Sequence, residues 1–228
     1  MAFRKKSDWI LKYDPDILIV PECENPDVLK FSLFSKQPDN IIWYGENPNK
    51  GLGVFSFNDY KLQLLTIHNS DFKTVLPISV TRGPVDFTMF AIWANNPSDT
   101  INQYIGQVWK AIHNYDELIK NEKTILIGDF NSNTIWDKPR RKWNHSAVVE
   151  ALELKQIKST YHHHFKQVQG KEKHATFHLY RHLNKPYHLD YCFASNELME
   201  KLQYVEIGRH EDWKMHSDHM PLIVNFNI

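Results

Sequence analysis

Four short segments of this 228-residue chain place carboxylate, amide and imidazole groups at the ends of apolar runs: Val20-Pro21-Glu22, Ile127-Gly128-Asp129-Phe130-Asn131, His188-Leu189-Asp190-Tyr191 and Ser217-Asp218-His219-Met220-Pro221. Each is ordinary alone. Glu22 reads as a strand-end charge turned to solvent. Gly128-Asp129 with Asn131 is a common turn composition, because Asp and Asn bond their own backbone. Asp190 fits an outward strand position, and Ser217-Asp218-His219 fits a polar turn. Together they read differently, because acids at the ends of buried strands can converge on one rim of a sheet sandwich. Carboxylates gathered there repel one another, and a divalent cation is the natural compensation. Oxygen donors without a cysteine cluster favour Mg²⁺ or Mn²⁺ over structural zinc. His219 adds a group that titrates near neutrality. Metal, carboxylate, amide and imidazole are the parts that hydrolyse a phosphate ester. No isolated activated Ser or Cys stands out, and Cys23, next to Glu22, reads as a packing residue.

The elements that must position these groups follow from periodicity. Residues 3–13 read as an amphipathic helix ended by Asp14-Pro15, since the residue before proline disfavours the α region. Ile17–Val20 is a strand buried on both faces. Asn25-Pro26 looks like the cap and first turn of a short helix through Phe34. Ile41–Tyr44, Leu52–Phe57, Lys61–Ile67, Thr74–Val80 and Val85–Trp93 read as successive strands separated by turn residues. Ser98-Asp99 caps a helix whose apolar face runs Ile101, Ile105, Val108, Ile112, Tyr115 and Ile119. Thr124–Ile127 is a buried strand, and Ser146 to about Lys155 a helix. Leu189–Ala194, Tyr204–Ile207 and Pro221–Phe226 are the last strands. The polar, His-rich stretch 156–186 is expected to be the least ordered, with His162-His163-His164 in a polar loop rather than a zinc site. Hairpin strands mixed with covering helices predict an α/β fold in which two mixed sheets pack face to face with helices outside, as a single domain over 1–228.

Composition sets the bounds. Hydrophobic residues are 42 %, charged residues 24 % and aromatics 13 %, which fits a folded globular chain and excludes collagen, coiled coil and general disorder. No apolar run approaches the roughly 20 residues of a membrane helix, and the N-terminus lacks a signal-peptide core, so no membrane partner is expected. Cys23 and Cys192 read as cytosolic thiols, which predicts a cytoplasmic protein, although a bridge between them stays open. Lys plus Arg is 27 and Asp plus Glu is 27, so any basic face for nucleic acid must be local. Lys138-Pro139-Arg140-Arg141-Lys142, flanked by Trp136 and Trp143, is either a solvated charge run or a grip on a polyanion.

The order Pro-Glu, Gly-Asp-Phe-Asn, Leu-Asp-Tyr and Ser-Asp-His-x-Pro resembles the endonuclease/exonuclease/phosphatase superfamily. Its members include pancreatic-type deoxyribonucleases, abasic-site endonucleases, sphingomyelinases and inositol-polyphosphate 5-phosphatases. The resemblance runs from about Tyr13 to Ile228 and implies a four-layered α/β sandwich and a metal-dependent phosphodiesterase, with nucleic acid as the expected substrate. It implies Glu22 as principal metal ligand, supported by Asp218. Asp129 would orient or deprotonate the attacking water, and Asn131 would hold the water or a phosphate oxygen. Asp190 would pair with His219, and His219 would contact the scissile phosphate. Asn96, Arg140 and Arg141 are the candidate substrate contacts.

Three departures accompany the resemblance. The family begins with a central strand carrying an Asn ahead of the first helix, whereas Met1-Ala2-Phe3-Arg4-Lys5-Lys6 starts at the helix. The expectation is a truncated chain, or one translated from an internal Met. Pro21 stands where Gln is usual, and Trp93 where many members carry a His or Tyr that serves the leaving group. Two other readings stay open: the same chemistry on a small or lipid phosphate, and a phosphate-binding module without turnover. Oligomeric state is not legible.

Overall fold

Period-two alternation sorts the apolar residues of each central strand into separate cores. In the computed structural model of the chain, which describes residues 2–95, 103–120 and 123–228, strand β1 (Ile17–Cys23) turns Ile17 and Ile19 to the inside of a sandwich. Leu18 and Val20 face the outside. Strands β2 (Asn40–Asn47) and β3 (Lys50–Ser56) complete an antiparallel sheet of order β1-β3-β2.

The facing sheet has six strands. It is built from β4 (Lys61–Leu64), β5 (Val75–Arg82), β6 (Val85–Trp93) and β7 (Thr124–Asp129), then β8 (Ile157–Ser159) and, after the short ribbon β9 (Phe177–His178) and β10 (Pro186–Tyr187), β11 (Asp190–Ser195). Its order is β4-β5-β6-β7-β11-β8, and β6–β7 is the parallel pair at its centre. The chain ends in an antiparallel pair, β12 (Leu202–Ile207) and β13 (Leu222–Phe226).

Met89, Ala91, Trp93, Ile125, Cys192 and Ala194 of the six-stranded sheet meet Leu52, Val54 and Val224 between the layers. The opposite face of that sheet carries Phe90, Ile92, Leu126, Tyr191 and Phe193. Helices cover it: α2 (Ile105–Asn114) brings Val108 and Ile112, and α4 (His145–Glu153) brings Val148 and Leu152, with α3 (Asp116–Ile119) between them in sequence. The outer face of the β1 sheet is covered by α1 (Ser7–Leu11) and 3₁₀ turns at Phe3–Lys5, Pro26–Val28 and Phe31–Leu33. The result is four layers: helix, sheet, sheet, helix. Three short helices, α5 (Thr160–Phe165), α6 (Asn196–Met199) and α7 (His210–Trp213), complete the chain.

The strands stand where the apolar runs place them, to within three residues at their ends. The differences are instructive. The helix expected after Ser98 begins at Ile105 among the described residues and breaks at Tyr115, so α3 is separate; Ser98, Asp99 and Ile101 lie outside the described residues. The helix expected through Phe34 is two 3₁₀ turns. Only one layer is a mixed sheet, because the opposite layer is divided, β1-β3-β2 on one side and β12-β13 on the other. Cys23 and Cys192 are buried free thiols. Residues 156–186 are folded, not loose. Tyr161 and Thr176 have no exposed surface. Glu172 accepts from the Gly170 amide and meets His162 Nε2 at 3.0 Å. The three histidines sit on α5, on successive faces of a helix, not in a loop.

Helix α4 is fixed at its start by Asn144, whose side chain accepts from the Ala147 amide at 2.8 Å. His145 is fully buried, with Nδ1 2.8 Å from Ser132 Oγ and its ring against Tyr191. Burial pushes its pKa down to about 4. The unfolded imidazole titrates near 6.5, so the unfolded state binds the extra proton between pH 6.5 and 4 and stability falls as pH drops through that window. Urea unfolding should show a loss of about 3 kcal/mol there, flattened in His145→Gln.

Candidate active site

Register places the two central acids. Asp129 ends β7, Asp190 begins β11, and the two are direct partners across the antiparallel ladder. Directly opposed residues share a face with Cβ atoms roughly 5 Å apart. The parallel ladder on the other side pairs Asp129 with Trp93, and the Ala94 amide donates to the Asp129 carbonyl at 2.7 Å. Gly128 makes this close approach possible: it has φ +140°, and a Cβ there would lie 1.9 Å from the Ile92 carbonyl oxygen. Only glycine fits.

Each acid is then held. Asn131, at φ +48°, donates its backbone amide to Asp129 Oδ1 (2.8 Å) and its side-chain amide to Oδ2 (2.9 Å) and to the Ala94 carbonyl (3.0 Å). Asp190 Oδ2 lies 2.9 Å from His219 Nδ1. Thr176 Oγ1 accepts from the amides of Leu189 (2.9 Å) and Asp190 (3.0 Å), and its carbonyl accepts from Met220. The His178 amide donates to the Asp218 carbonyl, Phe177 bridges His219, and the Phe177 ring lies 4.7 Å from the imidazole. Residues 176–178 are thus a strap that ties Asp190 to the loop carrying Asp218 and His219.

Donor atoms of Asp129, Asp190 and His219 all fall within 4.8 Å of one another. Burial first, and then the Asp190 charge, raise the Asp129 carboxyl well above the usual carboxylate range. Burial works against a charged His219, but the Asp190 carboxylate outweighs it and lifts the imidazole to about 9. The centre therefore holds more negative charge than its buried setting favours, and every donor except the imidazole is an oxygen. That donor set fits a hard divalent cation.

Glu22 and Asp218 line the same cleft of about 1010 Å³ as Asp129, Asn131, Asp190 and His219. Glu22 sits at φ +57°, on a bulge between Pro21 and Cys23, and its carboxylate is 2.8 Å from Lys50 Nζ. Arg140 and Arg141 are exposed in the turn before α4 and do not line the cleft. Trp143 packs on Trp109, while Trp136 is half exposed with its ring 5.0 Å from Tyr187. Asn96 lies outside the described residues.

Sequence reasoning missed three contributors. Lys50 also lies 5.4 Å from the Trp93 ring centroid. Lys6 lines the cleft, where burial lowers its pKa against the pull of Asp218 and Glu22. Thr176 carries no local signature at all. A lysine at the end of a strand and a threonine in a polar stretch become informative only once the strands are paired.

The four-layered fold is shared, over nearly the whole chain, with solved structures of nucleases and a phosphatase. The 3′ phosphatase NExo from Neisseria, bound to product DNA hairpin, matches 100 % of this chain and 96 % of its own at 18 % identity and a TM-score of 0.71. The endonuclease domain of TRAS1, a telomere-specific non-LTR retrotransposon, covers the same shares at 12 % and 0.65. An AP endonuclease from Archaeoglobus fulgidus covers 96 % of this chain and 92 % of its own at 17 % and 0.65. No family model matches, and no curated protein does.

Thr176→Val keeps the volume but leaves the Leu189 and Asp190 amides without an acceptor. It should cost about 2–4 kcal/mol in chemical denaturation, whereas Thr176→Ser, which keeps the hydroxyl, should cost about 1 or less.

Proposed function

We propose that the chain, acting as one domain, is a metal-dependent phosphodiesterase, and that its substrate is nucleic acid. One observation carries the reading: Asp129, Asp190 and His219 converge within 4.8 Å in a cleft shared with Glu22, Asn131 and Asp218. The named activities of the similar structures, a DNA-bound 3′ phosphatase and AP endonucleases, support DNA as the first substrate to test.

The residues divide the work. Asp129, with its carboxyl shifted towards neutrality, accepts a proton from the attacking water, and the two Asn131 bonds fix its orientation. His219 is held cationic by Asp190 and faces the charge that builds on the phosphate oxygens. Glu22 and Asp218 would hold Mg²⁺ or Mn²⁺, which when bound supplies Lewis acidity toward the phosphate. The Phe177 ring beside His219, with Tyr187 and Trp136 beyond it, offers surfaces for a base. Asn96 is the remaining candidate phosphate contact. Arg140 and Arg141, outside the cleft, can reach only the flank of a long polyanion.

A second reading, phosphate binding without turnover, is favoured by the Lys50–Glu22 ion pair, which engages the acid assigned to the metal.

Plasmid DNA, RNA and a chromogenic phosphodiester, each with Mg²⁺, Mn²⁺ or EDTA, test the proposal. Cleavage should require metal and fall ~10²–10⁴-fold in Asp129→Ala and in His219→Ala. Cleavage unchanged by either substitution would refute the assignment, and binding without cleavage would select the second reading.

A separate experiment addresses the basic turn. Arg140→Ala with Arg141→Ala should raise KM for long DNA and lower the salt dependence of its binding by about two phosphate contacts. The chromogenic diester should be hydrolysed as before.

A further inference from the structure

Lys50 is mounted on a fixed hairpin. The turn Pro48-Asn49 joins β2 to β3, and Asn47 stands opposite Lys50 in the ladder. The Trp43 ring lies across this hairpin: a Cβ on Gly45 would fall 2.7 Å from it, and one on Gly51 2.5 Å. Two bare Cα atoms thus make room for the indole. Its Nε1 donates to the Cys23 carbonyl at 3.1 Å, which ties the hairpin to the end of β1. Pro21 pairs with Leu52 and Cys23 with Gly51, so Glu22 is the extra residue of the bulge. A bulge re-aims the side chain that it leaves unpaired. Lys50, next to Gly51 in the chain, is the cation that the Glu22 carboxylate meets.

The ammonium has two neighbours of different kinds. Its Nζ lies 2.8 Å from Glu22 Oε1 and 5.4 Å from the Trp93 ring centroid. Trp93 is the ladder partner of Asp129. An aromatic face holds an ammonium whether or not an anion is beside it. Both side chains of the ion pair are about half exposed, at 49 % and 53 %. Such a pair is weak, and it breaks when either member finds a better partner. Lys73, on the same wall of the cleft, is engaged elsewhere, with Glu46 at 2.8 Å. Of these two lysines, Lys50 is the one that contacts an acid assigned to the metal.

We propose that Lys50 couples metal loading to substrate binding: without substrate it competes with the divalent cation for Glu22, and with substrate it leaves Glu22 for an oxygen of the bound phosphate. The inference rests on the metal-dependent reading given above and names a residue which that reading does not use. Glu22 cannot serve the ammonium and a divalent cation fully at the same time. A phosphodiester anion in the cleft offers Lys50 another partner within the sweep of its flexible four-carbon stem. The Trp93 face keeps the ammonium near Asp129 through the exchange. Substrate therefore frees Glu22 and tightens the metal, and by linkage the metal tightens substrate by the same factor.

The test reads binding rather than turnover. Mn²⁺ binding to the intact chain is followed by electron paramagnetic resonance, alone and with dimethyl phosphate, a diester that resists hydrolysis. Lys50→Met should tighten Mn²⁺ by ~2–5-fold, the worth of an exposed ion pair. Dimethyl phosphate should tighten Mn²⁺ in the parent chain, and the factor should be smaller by ~2–5-fold in Lys50→Met. Lys50→Arg, which keeps the charge, should stay close to the parent in both measurements. Lys73→Met removes an equal charge from the same wall and should leave Mn²⁺ affinity as it was. Unchanged Mn²⁺ affinity in Lys50→Met overturns the proposal. Equal tightening in Lys73→Met does so too, because the lysine then acts only through the general field of the cleft. So does undiminished coupling in Lys50→Met, because the phosphate then has no use for the ammonium. Mn²⁺ binding that is not weakened by Glu22→Gln refutes the metal assignment itself and the proposal with it. The two failures are thus told apart by the variant that reveals them.

Discussion

Two acids forced into opposition set the terms for this molecule. The ladder between β7 and β11 makes Asp129 and Asp190 direct partners, and the side chains of a cross-strand pair cannot point away from each other. Their mutual repulsion, in a place largely shut off from water, has to be absorbed locally. The two Asn131 bonds and the Asp190–His219 contact each take up part of it, while the Leu189 and Asp190 amides that donate to Thr176 fix the backbone that carries Asp190. Gly128 belongs to the same constraint, because without its bare Cα the end of β7 could not approach β6 closely enough to bring Asp129 into line.

Much of this was legible in the sequence, for a simple reason. Unbroken apolar runs at Ile17–Val20, Met89–Trp93 and Ile125–Ile127 report burial on both faces, and burial on both faces specifies central strands. Carboxylates placed where such runs stop are already half positioned, since strand ends in a sandwich share a rim. What stayed hidden depends on pairing between distant segments. Nothing in the composition of 156–186 distinguishes a loose loop from a strap anchored by a hydroxyl, a carbonyl and one amide. Lys50 and Lys6 read as ordinary surface cations until β3 and the turn before α1 bring them to the acids. The break at Tyr115 was equally invisible, because Tyr115 and Ile119 continue the helical spacing although the backbone has left it.

The two sheet layers differ in completeness. One is continuous over six strands and covered by α2 and α4. The other is in two parts, and the acids and imidazole lie where both parts meet the complete sheet. The cleft that holds the acids and the opening between β1 and β13 are one continuous space, so the rigidity of the candidate site depends on both halves of the divided layer. Glu22 belongs to one half, and Asp218 and His219 precede the other. Their relative placement comes from contacts across the sandwich, β1 on β7 and β13 on β11, rather than from hydrogen bonds between neighbouring strands.

The strap at 176–178 separates two kinds of freedom. Its main chain and the Thr176 hydroxyl are committed to Asp190, Asp218 and Met220, while the Phe177 and Tyr187 rings project from the ribbon, with Trp136 of a neighbouring turn against Tyr187, without taking part in those bonds. Substitutions of Tyr187 and Trp136 can therefore change the exposed aromatic surface without touching Asp190 or His219, whereas Phe177 packs on the imidazole itself. In this architecture the ring surface of Tyr187 and Trp136 can vary while the backbone bonds that tie Asp190 to the His219 loop stay fixed.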